Sequence, residues 1–323
     1  MVNDRLLLDD WHPAARSDAL SDGTVMGARL LGEDLVLWRS GGKVMAWQDL
    51  CIHRGTRLSL GKVRDGVLAC PYHGWEYNPE GRCVRIPAHP EQTPPVTAHT
   101  RTYQTREGYG LVWVSLGEPE KDIPPFPEEN DPNYRTVLAG PFGPVNASAP
   151  RIIENFLDVA HFPYVHGGSL GDENRPEIAD YRVTTTADGV AADDITVYQP
   201  DPYGTGEGDM VHYQYRVPRP LTAYLAKETK LTRFSILFSI TPVDEKASIA
   251  WFYMALDSGY DMPDDEIEAF HSSILAQDIP IVESQRPELL PLDLQAELHL
   301  RCDRTSIAYR RWLKELGMSF GTA

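Results

Sequence analysis

The chain has 323 residues, 42% of them hydrophobic, with 30 lysines and arginines against 47 aspartates and glutamates, a formal net charge of −17. This length and ordinary composition suit two packed domains and exclude a disordered or fibrous chain. The acidic surplus argues against binding a nucleic-acid backbone and is compatible with a basic protein partner, a cationic substrate or simple solubility.

The opening run Leu6-Leu7-Leu8 is flanked by acids, and nothing later approaches the roughly 18–20 apolar residues of a spanning helix. Neither a leader nor a membrane contact is expected, and a cytoplasmic protein is. Short strands are predicted at Val25–Leu31 and Asp34–Arg39, with Gly41-Gly42 turning into a third at Lys43–Trp47, and another at Gly110–Leu116. Pro119, Pro124, Pro125, Pro127 and Pro132 stand among acids and cannot continue a helix or a central strand, so the domain boundary is placed there, giving 1–135 and 136–323. The first domain reads as β-rich. Downstream, a helix is predicted at Ile152–Phe162, strands at Tyr181–Thr186, Val211–Val217, Arg233–Thr241 and Ser248–Leu256, and a long helix from Pro263 to Leu289. The second domain is therefore read as α+β, a mostly antiparallel sheet with helices. The stretch 200–208, rich in glycine and proline, reads as a loop and lacks the strand–turn–helix context of a dinucleotide fingerprint.

The four cysteines, Cys51, Cys70, Cys83 and Cys302, are too few to staple a chain of this length. Two sit beside histidines, in Cys51-Ile52-His53-Arg54-Gly55 and Cys70-Pro71-Tyr72-His73-Gly74-Trp75. One thiol and one imidazole in each of two short loops suit a [2Fe–2S] cluster in which Cys51 and Cys70 hold one iron and His53 and His73 the other. The competing reading is a structural zinc site, although zinc fingers usually group cysteine with cysteine and histidine with histidine. Cys83 and Cys302 read as buried, inert thiols.

A second constellation lies in Asn155…Asp158…His161…His166. Asp158 and His161, three residues apart, would share a helix face. His161 and His166 would diverge by about 140° on an unbroken helix of about 3.6 residues per turn. Pro163 should break the helix and let His166 return. On the long helix, Phe270, Ile274, Asp278 and Val282 recur every four residues, which puts a carboxylate in an apolar stripe, costly unless paired or metal-bound. His161, His166 and Asp278 would form a facial triad for a mononuclear Fe(II) that leaves positions open for O2 and substrate. Glu283 is the competing carboxylate, and the histidines taken alone could be structural.

Both constellations resemble those of Rieske non-heme iron oxygenase α subunits over nearly the whole chain. Val36–Ser40, Ile86–Pro90 and Tyr309–Gly317 look closest to the homotrimeric monooxygenases of that family, such as saxitoxin-pathway hydroxylases and toluenesulfonate methyl-monooxygenase, with dicamba and vanillate O-demethylases more distant. The resemblance implies an all-β Rieske domain followed by a helix-grip-like catalytic domain. It also implies a head-to-tail homotrimer in which Asp158 bridges His161 and a neighbour's His73, with Asn155 a polar residue near the iron. The expected reaction is monooxygenation of a small organic substrate, by hydroxylation or oxidative demethylation, with NAD(P)H electrons delivered by a separate flavin or iron–sulfur reductase or a ferredoxin. Arene cis-dihydroxylation and a non-enzymatic electron carrier or redox sensor are the alternatives.

Overall fold

The computed structural model describes residues 2–202, 206–230, 232–259 and 262–323, so residues 203–205 of the expected loop at 200–208 lie outside the described residues. The chain divides into two compact units, Met1–Ile123 and Pro124–Ala323.

The first unit opens with a one-turn helix α1 (Arg5–Leu8) and continues as β-structure: β1 (His12–Arg16), β2 (Val25–Leu30), β3 (Glu33–Ser40), β4 (Lys43–Gln48), β5 (Lys62–Arg64), β6 (Val67–Ala69), β7 (Glu76–Tyr77), β8 (Cys83–Arg85), β9 (Thr102–Gly108) and β10 (Leu111–Ser115). Six of these strands form one sheet in the order β1-β10-β9-β4-β3-β2, and β5-β6-β7-β8 form a second, four-stranded sheet. Gly41-Gly42 makes the predicted two-residue hairpin, both residues at positive φ, which matches the right-handed twist of the strands it joins. Trp38, Trp47 and Tyr77 fill a core that also takes in Cys51, Cys70 and Cys83. The thiols therefore face the protein interior.

The second unit is built on one antiparallel sheet, from β11 (Tyr134–Val145), β12 (Arg182–Thr186), β13 (Gly189–Gln199), β14 (Asp209–Arg219), β15 (Thr222–Glu228), β16 (Arg233–Asp244) and β17 (Ala247–Asp257). Its seven strands run in the order β11-β17-β16-β15-β14-β13-β12. Its helices are α2 (Ala149–Leu157), α3 (Phe162–Val165), α4 (Asp264–Ser284) and α5 (Arg304–Leu316). Phe156 of α2 stacks on Phe238 of β16 at 4.4 Å, and His271 of α4 stacks on Phe234 of β16 at 5.4 Å. Both helices thus cover the same sheet, with aromatic rings between. Among the described residues no helix is long and apolar enough to cross a membrane.

Three local expectations need correction. The helix expected over 152–162 ends at Leu157, where Asp158 is already extended (φ −88°, ψ 118°), so Asp158 and His161 do not share a helix face. The break precedes Pro163, which sits in the first turn of α3, where its missing N–H costs nothing. The apolar stripe of α4 is uneven: Asp278 and Val282 are buried, whereas Phe270 lines a cavity and stays 41% exposed. Cys302 is half-buried rather than buried.

Candidate iron centres and substrate pocket

The two Cys–His loops close in the same way. The Cys51 amide donates to the Thr56 carbonyl at 2.8 Å and the Gly55 amide to the Cys51 carbonyl at 2.9 Å. The Cys70 amide donates to the Trp75 carbonyl at 2.8 Å and the Gly74 amide to the Cys70 carbonyl at 3.0 Å. Gly55 and Gly74 each take the left-handed conformation (φ 71° and 68°) that closes such a loop and that a β-carbon would oppose. Each loop then sends its cysteine inward and its histidine toward the surface: Cys51 and Cys70 are buried, His53 is half-buried and His73 exposed.

The donor groups fit an iron–sulfur cluster. The imidazoles of His53 and His73 lie 4.6 Å apart, and His53 is held flat against Trp75 at 4.5 Å. His53 Nδ1 is buried with no hydrogen-bond partner among the described residues, an orphan a metal would satisfy. Desolvation, with His73 and Arg54 nearby, lowers the His53 pKa and favours the neutral ring that a ligand must present. Burial raises the Cys70 thiol, while the backbone amides of Tyr72 and His73 directed at its sulfur pull the other way. The Tyr77 hydroxyl lies 3.2 Å from Cys51 Sγ.

In the second unit, the extended cap at Asp158 turns the chain so that its Oδ1 accepts from the Ala160 amide at 2.8 Å and its Oδ2 lies 3.4 Å from His161 Nδ1. α3 is one turn long, with His161 before it and His166 after it, and this brings their Nε2 atoms to 3.2 Å. Asp278 of α4 places Oδ1 3.4 Å from His161 Nε2 and 3.2 Å from His166 Nε2. Ligand atoms of these three residues all lie within 4.8 Å of one another. His166 Nδ1 donates to Gln277 Oε1 at 2.7 Å, so its Nε2 carries the lone pair. Two imidazole nitrogens and a carboxylate oxygen then point into one small space, an arrangement that repels itself unless a cation stands there. Burial opposes charge on His166, yet the bonds to Asp278 and Gln277 outweigh it and raise its pKa. Asn155 Nδ2 approaches Asp278 Oδ1 at 3.4 Å. Glu283, the competing carboxylate, is engaged elsewhere, accepting from the Asn146 amide at 2.8 Å.

A cavity of about 380 Å³ opens beside this trio, between α4 and the sheet. Its walls are mainly aromatic and aliphatic, Phe156, Phe162, Phe238 and Phe252 among them, which suits a small planar ligand. Gln277, Lys227 and His271, together with Gly167 and Gly171 behind α3, carry no local sequence signal and emerge only from the fold.

Residues 10–104 match the Rieske [2Fe-2S] domain, and residues 145–318 match the vanillate O-demethylase oxygenase C-terminal domain. The chain is 33% identical to methylxanthine N1-demethylase NdmA of Pseudomonas putida, over 95% of this chain and 88% of that protein, and 32% identical to methylxanthine N3-demethylase NdmB of the same species, over 96% and 89%. The solved structure of Pseudomonas putida CBB5 NdmA with caffeine superposes with a TM-score of 0.85 at 31% identity, covering 96% of this chain and 91% of that one. A 117-residue stretch is also 40% identical to part of the oxidoreductase NdmD of Pseudomonas putida, covering 36% of this chain and 20% of that protein. With both domain models matched in order and full-length likeness to demethylase oxygenases, the chain belongs to the Rieske non-heme iron oxygenase α subunits, terminal oxygenases that use a [2Fe–2S] cluster, a mononuclear iron and electrons from a separate reductase.

Proposed function

We propose that this oxygenase removes a methyl group from nitrogen or oxygen of a small planar substrate. The observation that carries this reading is the convergence of His161, His166 and Asp278 at the edge of an aromatic-lined cavity, and the named activities of the relatives, N1- and N3-demethylation, favour demethylation over plain hydroxylation. Cys51, Cys70, His53 and His73 are the proposed cluster ligands, and His161, His166 and Asp278 the proposed ligands of the mononuclear iron. Bound there, the iron would supply O2 activation. The protein's own part is to hold the methyl group against the open side of the trio and keep bulk water out with its phenyl rings. Asn155 restrains the Asp278 carboxylate.

The reaction balances as substrate–CH3 plus O2, two electrons and two protons giving substrate–H, formaldehyde and water. Its electrons come from a partner reductase. Asp158 is the proposed route between centres: its side chain, 34% exposed, touches His161 on one side and is open on the other, where His73 of a second copy would dock in a head-to-tail trimer. The cytoplasm, with its NAD(P)H supply, is the proposed location. Reductase-coupled turnover with O-methyl and N-methyl compounds is expected to release one formaldehyde per O2 consumed. Products that gain oxygen but keep the methyl carbon across the whole panel would overturn demethylation.

A further inference from the structure

Lys227 is the unexplained residue of the cavity. It stands on β15 directly between Tyr213 of β14 and Phe234 of β16 in the sheet register, so all three side chains rise from one face toward α4 and line the cavity. From α4, His271 stacks on Phe234 and completes this end. His271 Nδ1 donates to the Ile267 carbonyl at 2.9 Å, and desolvation holds the ring pKa down to about 4, so it is neutral. Burial likewise raises the Tyr213 hydroxyl pKa, and that hydroxyl accepts from Gln199 Nε2 at 2.6 Å. The other charged groups of the wall have partners: Arg233 approaches Glu128 at 4.0 Å, Asp257 accepts from the Gly259 amide at 3.0 Å and Asp201 from the Gly206 amide at 2.9 Å. Among the described residues no carboxylate pairs with the Lys227 ammonium, and desolvation alone lowers its pKa to about 8. Lys227 is half-buried, and a desolvated cation lining a cavity without a counter-charge is costly, a cost commonly retained where a ligand supplies the missing charge.

We propose that Lys227 is a specificity-determining residue that binds a carboxylate or similar singly charged oxyanion on the substrate. This rests on the demethylation reading for what happens at the other end of the substrate. His271 and Asp278 are seven residues apart on α4, a rise of about 10 Å along the helix axis. The preferred substrate therefore carries its methyl group and its anionic group at opposite ends of a ring, as para-methoxybenzoate does.

The test is equilibrium binding to the iron-loaded oxygenase without O2, by calorimetry, of 4-methoxybenzoate, 4-methoxybenzenesulfonate, 4-methoxybenzamide and caffeine, followed by formaldehyde release on turnover. Wild type is expected to prefer the anions over the amide by roughly tenfold to a hundredfold, the range for a hydrogen bond to a charged group. In Lys227→Met that preference should collapse, and Lys227→Arg should keep it. Affinity of the wild type for the anions should fall as pH rises through about 8, where the free lysine loses its proton, and Lys227→Arg should abolish that fall. An equal preference in wild type and Lys227→Met, or no preference in wild type, overturns the proposal. Because the pH profile needs only the wild type, a misfolded variant does not rescue it. Tight anion binding without formaldehyde would instead refute demethylation and leave the anion site standing, whereas formaldehyde from caffeine with no anion preference would do the reverse.

Discussion

His166 Nδ1 donates to the side-chain carbonyl of Gln277 at 2.7 Å, and this bond fixes the tautomer that turns the His166 Nε2 lone pair toward His161 and Asp278. Gln277 and Asp278 are neighbours on α4, so one short piece of helix both orients one proposed ligand and supplies another. Gln277→Leu removes the acceptor and frees the ring, and such losses typically cost roughly 10- to 100-fold in metal affinity. Iron titration of the variant, with the visible absorption of the cluster as an internal control, should show that loss at the mononuclear site alone. An unchanged iron affinity would mean that packing by itself orients His166.

Gly171 lies against the backbone of α3. A β-carbon there would come within 2.5 Å of the Pro163 nitrogen and 2.7 Å of the Phe162 carbonyl carbon, and neither can move without shifting the turn that joins His161 to His166. Gly171→Ala is expected to lower iron occupancy and to cost roughly 1–3 kcal/mol in stability, as overpacking does. Metal analysis and thermal unfolding measure both effects. Full iron occupancy would show that the turn tolerates displacement.

The Tyr77 hydroxyl, 3.2 Å from Cys51 Sγ, keeps its proton because burial raises its pKa, so it can donate to that sulfur. Hydrogen bonds to cluster sulfur are one of the levers that set reduction potential. Tyr77→Phe keeps the ring and removes the donor, which should make the reduced cluster less stable and move its potential to a more negative value in a redox titration. A potential that stays put would assign Tyr77 to core packing alone.

Arg310 is buried and forms a bidentate bond to Glu154, with 2.6 Å between Nη2 and Oε2, while also reaching Glu297. Burial raises the Glu154 pKa and Arg310 pulls it back down. In Arg310→Met the carboxylate is left buried without its main partner, at a cost of about 3–5 kcal/mol at neutral pH. A carboxyl whose folded pKa lies above its unfolded value gains relative stability on acidification, because the folded state then binds the extra proton. Denaturant unfolding should therefore find the deficit largest at pH 7 and shrinking as pH falls through the raised folded value toward 4.5, the ordinary value for glutamate. A pH-independent deficit would place the damage in packing rather than charge.

Much of the fold was legible because its signals are local. Gly41-Gly42 marks a hairpin wherever it occurs between strands, alternation and turns locate β3 and β4, and strand-like runs locate β14, β16 and β17, all to within a few residues. β11, β13 and β15 carry no comparable local signal. β11 is interrupted by Gly140-Pro141 and Gly143-Pro144, and β13 by two acids at Asp193-Asp194, so neither presents a clean alternation. The end of α2 was misplaced because a three-residue spacing suggests a helix face, whereas Asp158 instead uses its carboxylate to cap its own chain at the Ala160 amide.

The chemistry on offer is written in the residues themselves: two loops that each pair a thiol with an imidazole, a histidine pair around a proline, and a carboxylate in an apolar stripe. Side-chain type and short spacing carry that information, since ligand chemistry belongs to the residue and not to its surroundings. Which distant groups meet depends instead on how the chain folds. Asp278 is 112 residues beyond His166, and Lys227 sits on a strand with no motif of its own. They reach one cavity because α4 folds back across a sheet whose register is set by the burial of its whole inner face, a property summed over seven strands and invisible in any one of them.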